Sequence, residues 1–292
     1  MNDYLEYLKK VQNKADNTVL AYGRDLQSFE RFHEERGGKQ LDDCNDSDAT
    51  AYMLELGKRK KSKATINRNI ASLRGYYDFR ISQGDMEVNP FAHLKTMKND
   101  IRKIDYLELE EVEALLELPD QTPKGLRDRA IMELMYGTGI RVSELVRLKY
   151  SDLNLRMRFL SCRDANDNSR VIPIGSYAYS ALKDYMEKAY GTFVDKEIEA
   201  EDSLFVNMHG KCITRQGVWK ILKEYGDRIG LSDRMTPQIL RDTFAVHILQ
   251  NGGDLRTLQE LMGFEDLAAG LAYLSCIDIH IKDVYNRTHP RA

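Results

Sequence analysis

Apolar residues recur every three or four positions through most of the chain, the spacing of helices that bury one face. Val19, Tyr22, Leu26, Phe29 and His33 form one such stripe, with Thr18 as its expected N-cap. Ile66, Ile70, Leu73 and Tyr77 repeat the spacing after Thr65, and Asn89-Pro90 closes the region because proline disfavours helix in the residue before it. Residues 1–94 therefore read as a small domain of about four helices. The stretch 95–105, KTMKNDIRKID, has neither periodicity nor turn chemistry and reads as a basic linker. A new helix is expected from Glu108 to Leu118, burying Val112, Leu115 and Leu116, and another from Leu126 to Tyr136. Gly137-Thr138-Gly139 breaks that helix, and a short one starts near Ile140. Two strand-like runs, Met157 to Arg163 and Arg170 to Ile174, flank the turn-rich Asp164–Asn168 and predict a hairpin. The remainder reads as helical, with Thr214, Thr236 and Asp254 as N-caps. The expected fold is mainly α with a small β-hairpin or sheet (α+β) in a second domain, residues 106–292.

Composition narrows the classes. A chain of 292 residues fits two domains. No run approaches the roughly 20 apolar residues that span a bilayer, and the N-terminus shows no basic head followed by an apolar stretch, so a cytoplasmic protein without a membrane partner is expected. Cys44, Cys162, Cys212 and Cys276 are scattered and form no CxxC pair, which argues against a disulfide framework or a zinc site. The net charge of -3 hides an uneven distribution. Between Lys58 and Lys103 twelve basic residues, Lys60, Lys61, Lys63, Arg68 and Arg74 among them, face four acidic ones. That excess suffices for a phosphate-binding surface, although a solvated helix face and a basic linker would produce it equally well.

Two segments carry candidate chemistry. In Thr236-Pro237-Gln238-Ile239-Leu240-Arg241 a capping threonine and a proline at the first helical position mark a helix start. Gln238 and Arg241 share a face of that helix, where the dipole, free N–H groups and a guanidinium fork favour a phosphate. In Gly137-Thr138-Gly139-Ile140-Arg141-Val142-Ser143-Glu144 the turn delivers Arg141 to the start of a helix, with Glu144 three residues on to hold it. Each alone is more often an ordinary surface arginine or a structural salt bridge.

Taken together, GTGIRVSELVRLKYSDL, TPQILRDTFAVHILQNGGDLRTLQELMG and a tyrosine in the last helical region resemble the tyrosine site-specific recombinases of the Xer and phage-integrase type. NTVLAYGRDLQSFERF and ATINRNIASLRGYYDF resemble that family's N-terminal DNA-clamping (SAM-like) domain, and the terminal HPRA resembles Xer-type ends, so the likeness covers nearly the whole chain in order. It implies a clamp closing on double-stranded DNA, and cutting and rejoining through a phosphotyrosine link. That link conserves bond energy without ATP, metal or cofactor. It implies a homotetramer on DNA, or a hetero-oligomer with a second recombinase, with Ile281 to Ala292 docking on a neighbour. By position Arg141 and Arg241 match the two catalytic arginines, Glu144 the support of the first, Tyr273 the nucleophile, and His247 a histidine read as packing or support. A type IB topoisomerase shares the chemistry, but the length and the ending favour the recombinase.

The departures from the family pattern are specific. Ala165 occupies the hairpin slot of a lysine, Gln238 that of a histidine, and Phe264 that of a histidine or tryptophan. Loss of one general acid or base typically costs about 10²–10⁴ in rate. Arg163, two residues before Ala165, leaves the same strand face if the strand continues, and would restore charge there but not an easily released proton. Two functions remain in view: an active recombinase or integrase, and a catalytically impaired DNA-binding relative that assists an active one.

Overall fold

The computed structural model describes residues 1–38, 40–98, 103–164, 167–194, 202–276 and 290–291. The chain divides into two compact units, Met1–Ile101 and Arg102–Ala292. Ala165 and most of the stretch from Ile281 to Ala292 lie outside the described residues.

The first unit contains α1 (Asn2–Lys10), α2 (Asp16–Glu35), α3 (Asp46–Lys58) and α4 (Lys63–Ser82). The apolar stripe of α2 is buried as its spacing predicts, Leu26 and Phe29 completely. Thr18 is not its cap: α2 begins two residues earlier, Ala15 is the N-cap, and Asp16 supplies negative charge to the first turn, where the dipole favours it. In α4 the capping oxygen is that of Ser62, which accepts from the Thr65 N–H at 3.2 Å, so Thr65 lies inside the helix. Aromatic rings fill the core. Phe91, just past Asn89-Pro90, stacks on Tyr77 at 5.6 Å and meets Phe29 edge-on at 5.2 Å.

The second unit contains α5 (Leu109–Glu117), α6 (Pro123–Thr138), α7 (Val142–Leu145), three antiparallel strands, α8 (Ser176–Asp184), α9 (Tyr190–Phe193), α10 (Arg215–Arg228), α11 (Pro237–Gln250), α12 (Leu255–Met262) and α13 (Ala268–Leu271). A 3-10 turn follows at Ala272–Cys276. The strands are β1 (Leu153–Asn154), β2 (Phe159–Arg163) and β3 (Ser169–Pro173), in the order β1-β2-β3. The hairpin is therefore real, and a short third strand, not foreseen, extends it. Register pairs Leu160 with Ile172 and Cys162 with Arg170, and alternation turns these four toward the interior. Thr214, Thr236 and Asp254 cap their helices as expected, accepting from Gly217, Ile239 and Thr257.

α6 ends at Gly139, whose φ of +60° lies in the left-handed region that glycine adopts at little cost. A Cβ there would meet the Phe244 ring at 2.4 Å. Gly139→Ala combines left-handed backbone strain with overpacking of a buried ring, each about 1–3 kcal/mol, and is expected to lower the thermal midpoint by several degrees. An unchanged melting curve would contradict this reading of the helix end.

Candidate active site

The local folding of three segments builds the site. Arg141 is the N-cap of α7, and its backbone N–H donates to Glu144 Oε2 at 2.8 Å. Its guanidinium donates to Glu144 Oε1 at 3.1 Å and to the Gly263 carbonyl at 3.1 Å. Arg241, one turn into α11, is 4% exposed. It donates to the carbonyl of Gly139 and, at 2.7 Å, to that of Met262. Each arginine is thus fixed to a carbonyl at the glycine-terminated end of a helix, α6 or α12. Carbonyls there have no partner within the helix.

With both arginines tied down from behind, their outer faces open on one pocket of about 360 Å³, lined by Arg141, Val142, Ser143, Thr236, Pro237, Gln238 and Arg241. The pocket sits on the capped start of α11, where backbone N–H groups and the helix dipole favour an anion. Burial, and next the proximity of Arg141, depress the Arg241 pKa to about 10, so the group stays cationic at neutral pH. Two guanidinium groups at a helix start suit a phosphodiester.

Glu144 ties the site together. It is 3% exposed and accepts two bonds of 2.8 Å from Arg170, on the buried face of β3, besides its bonds from Arg141. Burial pushes its pKa up, but the Arg170 hydrogen bonds and then the Arg141 backbone N–H outweigh this and hold it at about 2. Arg170 also donates to the Leu261 carbonyl at 3.0 Å. The sequence reading passed over Arg170. The available signal was strand alternation, which places it on the same face as Ile172, where a cation requires a buried partner.

Tyr273 lies in the 3-10 turn after α13, buried to 3% exposure among Phe244, Val246, Leu258 and Met262. Its ring stacks on Phe264 at 6.2 Å and 19°, and the Arg241 guanidinium carbon is 5.5 Å from the Phe264 centroid. Phe264 is therefore a spacer between the second arginine and the tyrosine. The Tyr273 hydroxyl donates to Asp242 Oδ1 at 2.6 Å, and Gln238 Nε2 donates to the same oxygen at 2.9 Å. Asp242 is the second residue the sequence reading missed. It follows Arg241 and stands four residues after Gln238, a spacing that puts Gln238 and Asp242 on one face.

Other expected residues lie elsewhere. His247 is held by Tyr136, whose hydroxyl is 2.9 Å from Nδ1, and burial lowers its pKa. Arg163 ends β2 on the outward face, 64% exposed and 3.9 Å from Asp167. In the first unit Arg68 forms a two-pronged bond to the buried Asp25 at 2.8 and 2.9 Å, and Arg74 donates to the carbonyls of Phe91 and Leu94. These two arginines hold helices and loop together. Lys60, Lys61 and Lys63 are exposed at the turn from α3 to α4. Among the described residues no group of three His, Cys, Asp or Glu side chains is placed to hold a metal.

Known proteins resemble this chain over its whole length. The phage integrase family matches residues 105–276, and its N-terminal SAM-like domain matches residues 1–84. The tyrosine recombinase XerD of Oceanobacillus iheyensis is 36% identical over 293 residues, covering 100% of this chain and 98% of the relative. That of Listeria innocua is 38% identical over 294 residues, covering 100% and 99%. Among solved structures, the Tn1549 transposon integrase in complex with transposon right end DNA superposes with a TM-score of 0.76 at 21% identity, covering 98% of each chain. The chain belongs to the phage integrase family and is a tyrosine recombinase of the Xer-like kind. No helix among the described residues is long and apolar enough to cross a membrane.

Proposed function

We propose that this protein performs site-specific recombination or integration of double-stranded DNA, cutting and rejoining strands through a covalent link to Tyr273. The observation that carries this reading is the pocket on the start of α11, where Arg141, Arg241 and Gln238 converge while Gln238 connects through Asp242 to the Tyr273 hydroxyl. A scissile phosphate in the pocket has its non-bridging oxygens neutralised by the two guanidinium groups as charge builds on them. Glu144 and Arg170 keep Arg141 in place. Gln238 supplies an amide to the phosphate where the family has a histidine. Residues 1–94 grip the duplex with Lys60, Lys61 and Lys63, residues 95–105 connect, and residues 106–292 carry the chemistry. The protein acts in the cytoplasm as a tetramer on two DNA sites, either of identical subunits or with a second recombinase.

The test is a nicked suicide duplex carrying sites taken from the host's recombination loci and the gene's flanks, scored in parallel on native and denaturing gels. Wild type is expected to give a mobility shift and a detergent-resistant adduct; Tyr273→Phe keeps the shift and loses the adduct. An adduct persisting in Tyr273→Phe would remove Tyr273 as nucleophile. A shift without adduct from the wild type would favour the impaired DNA-binding relative, in keeping with Gln238 and Phe264 in catalytic slots.

A further inference from the structure

We infer that Asp242 is a further catalytic residue: the carboxylate that accepts the proton of Tyr273 as the phenol attacks. This rests on the recombinase reading above and specifies how its nucleophile is activated. A phenol is a weak nucleophile until its proton is taken, and a base must stand within hydrogen-bond reach of that proton. The group in that position is Asp242, whose Oδ1 is 2.6 Å from the Tyr273 hydroxyl, a length typical of a charge-assisted O–H···O bond. Both partners are buried, Asp242 to 2% and Tyr273 to 3% exposure, which removes competing solvent from the pair.

The surroundings fix the acceptor and leave it in place. Gln238 donates to the same Oδ1 at 2.9 Å, orienting the carboxylate from the pocket side. The neighbouring Arg241 is held by the Gly139 and Met262 carbonyls. The stack of Tyr273 on Phe264 restrains the ring, so the hydroxyl keeps its direction. A Gln238 amide cannot take up a proton, whereas the carboxylate it orients can.

The Tyr273 O–H bond breaks and its proton passes to Asp242 Oδ1 while the O–P bond forms. The P–O5′ bond breaks, and the departing 5′ oxygen takes a proton from solvent water. A carboxylate is too weak a base to ionise a phenol beforehand, so proton transfer and attack proceed together. In rejoining, the 5′ hydroxyl attacks the phosphotyrosine, its proton returns to solvent, and Asp242 gives its proton back to Tyr273.

The experiment compares wild type and Asp242→Asn in single-turnover cleavage of two suicide duplexes, one with the natural 5′ bridging oxygen and one with sulfur there, with native binding measured alongside. A sulfur leaving group departs without a proton, so it isolates events at the tyrosine. Asp242→Asn is expected to bind DNA with unchanged affinity and to cleave both duplexes about 10²–10⁴-fold more slowly. A rate within about threefold of wild type overturns the proposal, and so does restoration of the rate by sulfur, which would assign Asp242 to the leaving group. Should Asp242→Asn fail to fold, wild-type cleavage of the sulfur duplex in heavy water decides: slowing is expected for the phenolic proton in flight, and an unchanged rate overturns the assignment. Absence of any Tyr273-dependent adduct from wild type on either duplex would instead defeat the recombinase reading itself, and the role of Asp242 with it.

Discussion

Arg170→Met is expected to lower the unfolding free energy by about 3–5 kcal/mol, the usual cost of removing one partner from a buried ion pair. Methionine fills much of the space of the arginine stem, so the loss is that of the charge and its bonds. Glu144 would keep its bonds from Arg141 but forfeit both bonds of 2.8 Å from Arg170. A pH signature accompanies the effect. The folded pKa of Glu144, about 2, lies below its ordinary 4.5. A depressed carboxylate stabilises the fold above the unfolded value and ceases to do so as pH falls through the folded one. The roughly 3 kcal/mol that this shift represents is therefore present at neutral pH and disappears between about pH 5 and pH 2. Urea midpoints at pH 7 and pH 3 check both statements. Wild type should lose stability between the two, and Arg170→Met should lose less because its carboxylate has already lost its main partner. Equal midpoints for wild type and variant at pH 7 would show that Arg170 is dispensable to Glu144.

The second large effect falls on chemistry. Arg241→Ala is expected to slow formation of the covalent adduct by about 10²–10³-fold, the typical consequence of removing one charge-stabilising donor (about 2.7–4 kcal/mol). Part of any loss will be structural, because the Gly139 and Met262 carbonyls lose their donor together. Arg241→Lys separates the contributions. It keeps the charge beside the pocket but has no planar fork to span two carbonyls. Lysine should recover some stability and little of the rate if geometry dominates, and much of the rate if charge alone matters. Single-turnover cleavage at saturating DNA, with thermal melts of the same preparations, supplies the comparison. An alanine variant cleaving at the wild-type rate would eliminate Arg241 from the site.

Much of this architecture could be read from residue order because it rests on local rules. The stripe from Val19 to His33 buries a helix face whatever surrounds it, and Thr214, Thr236 and Asp254 cap because their oxygens reach N–H groups three residues on. Arg141, Arg241 and Tyr273 are candidates by family register alone, and the fold shows their surroundings. What was not legible depends on long-range pairing. Strand alternation puts Arg170 on the inner face, but its partner Glu144, 26 positions earlier in the chain, is identified only by the fold. Asp242 becomes a partner of Tyr273 only once the turn after α13 packs on α11, 31 residues away. The basic segment illustrates the reverse error. Arg68 and Arg74 add to a positive tally, yet Asp25 and two backbone carbonyls occupy their guanidinium groups, a distinction that charge counting cannot make.

The anchoring of both arginines to glycine-terminated helices bears on folding as well as on catalysis. Gly139 and Gly263, with φ of +60° and +63°, turn the ends of α6 and α12 so that the carbonyls of Gly139, Met262 and Gly263 meet the two guanidinium groups. A chain in which either helix end has frayed has no clamp for a phosphate, because the bonds that aim the charges are the bonds that finish the fold. The two guanidinium groups keep their aim only while both helix ends are intact.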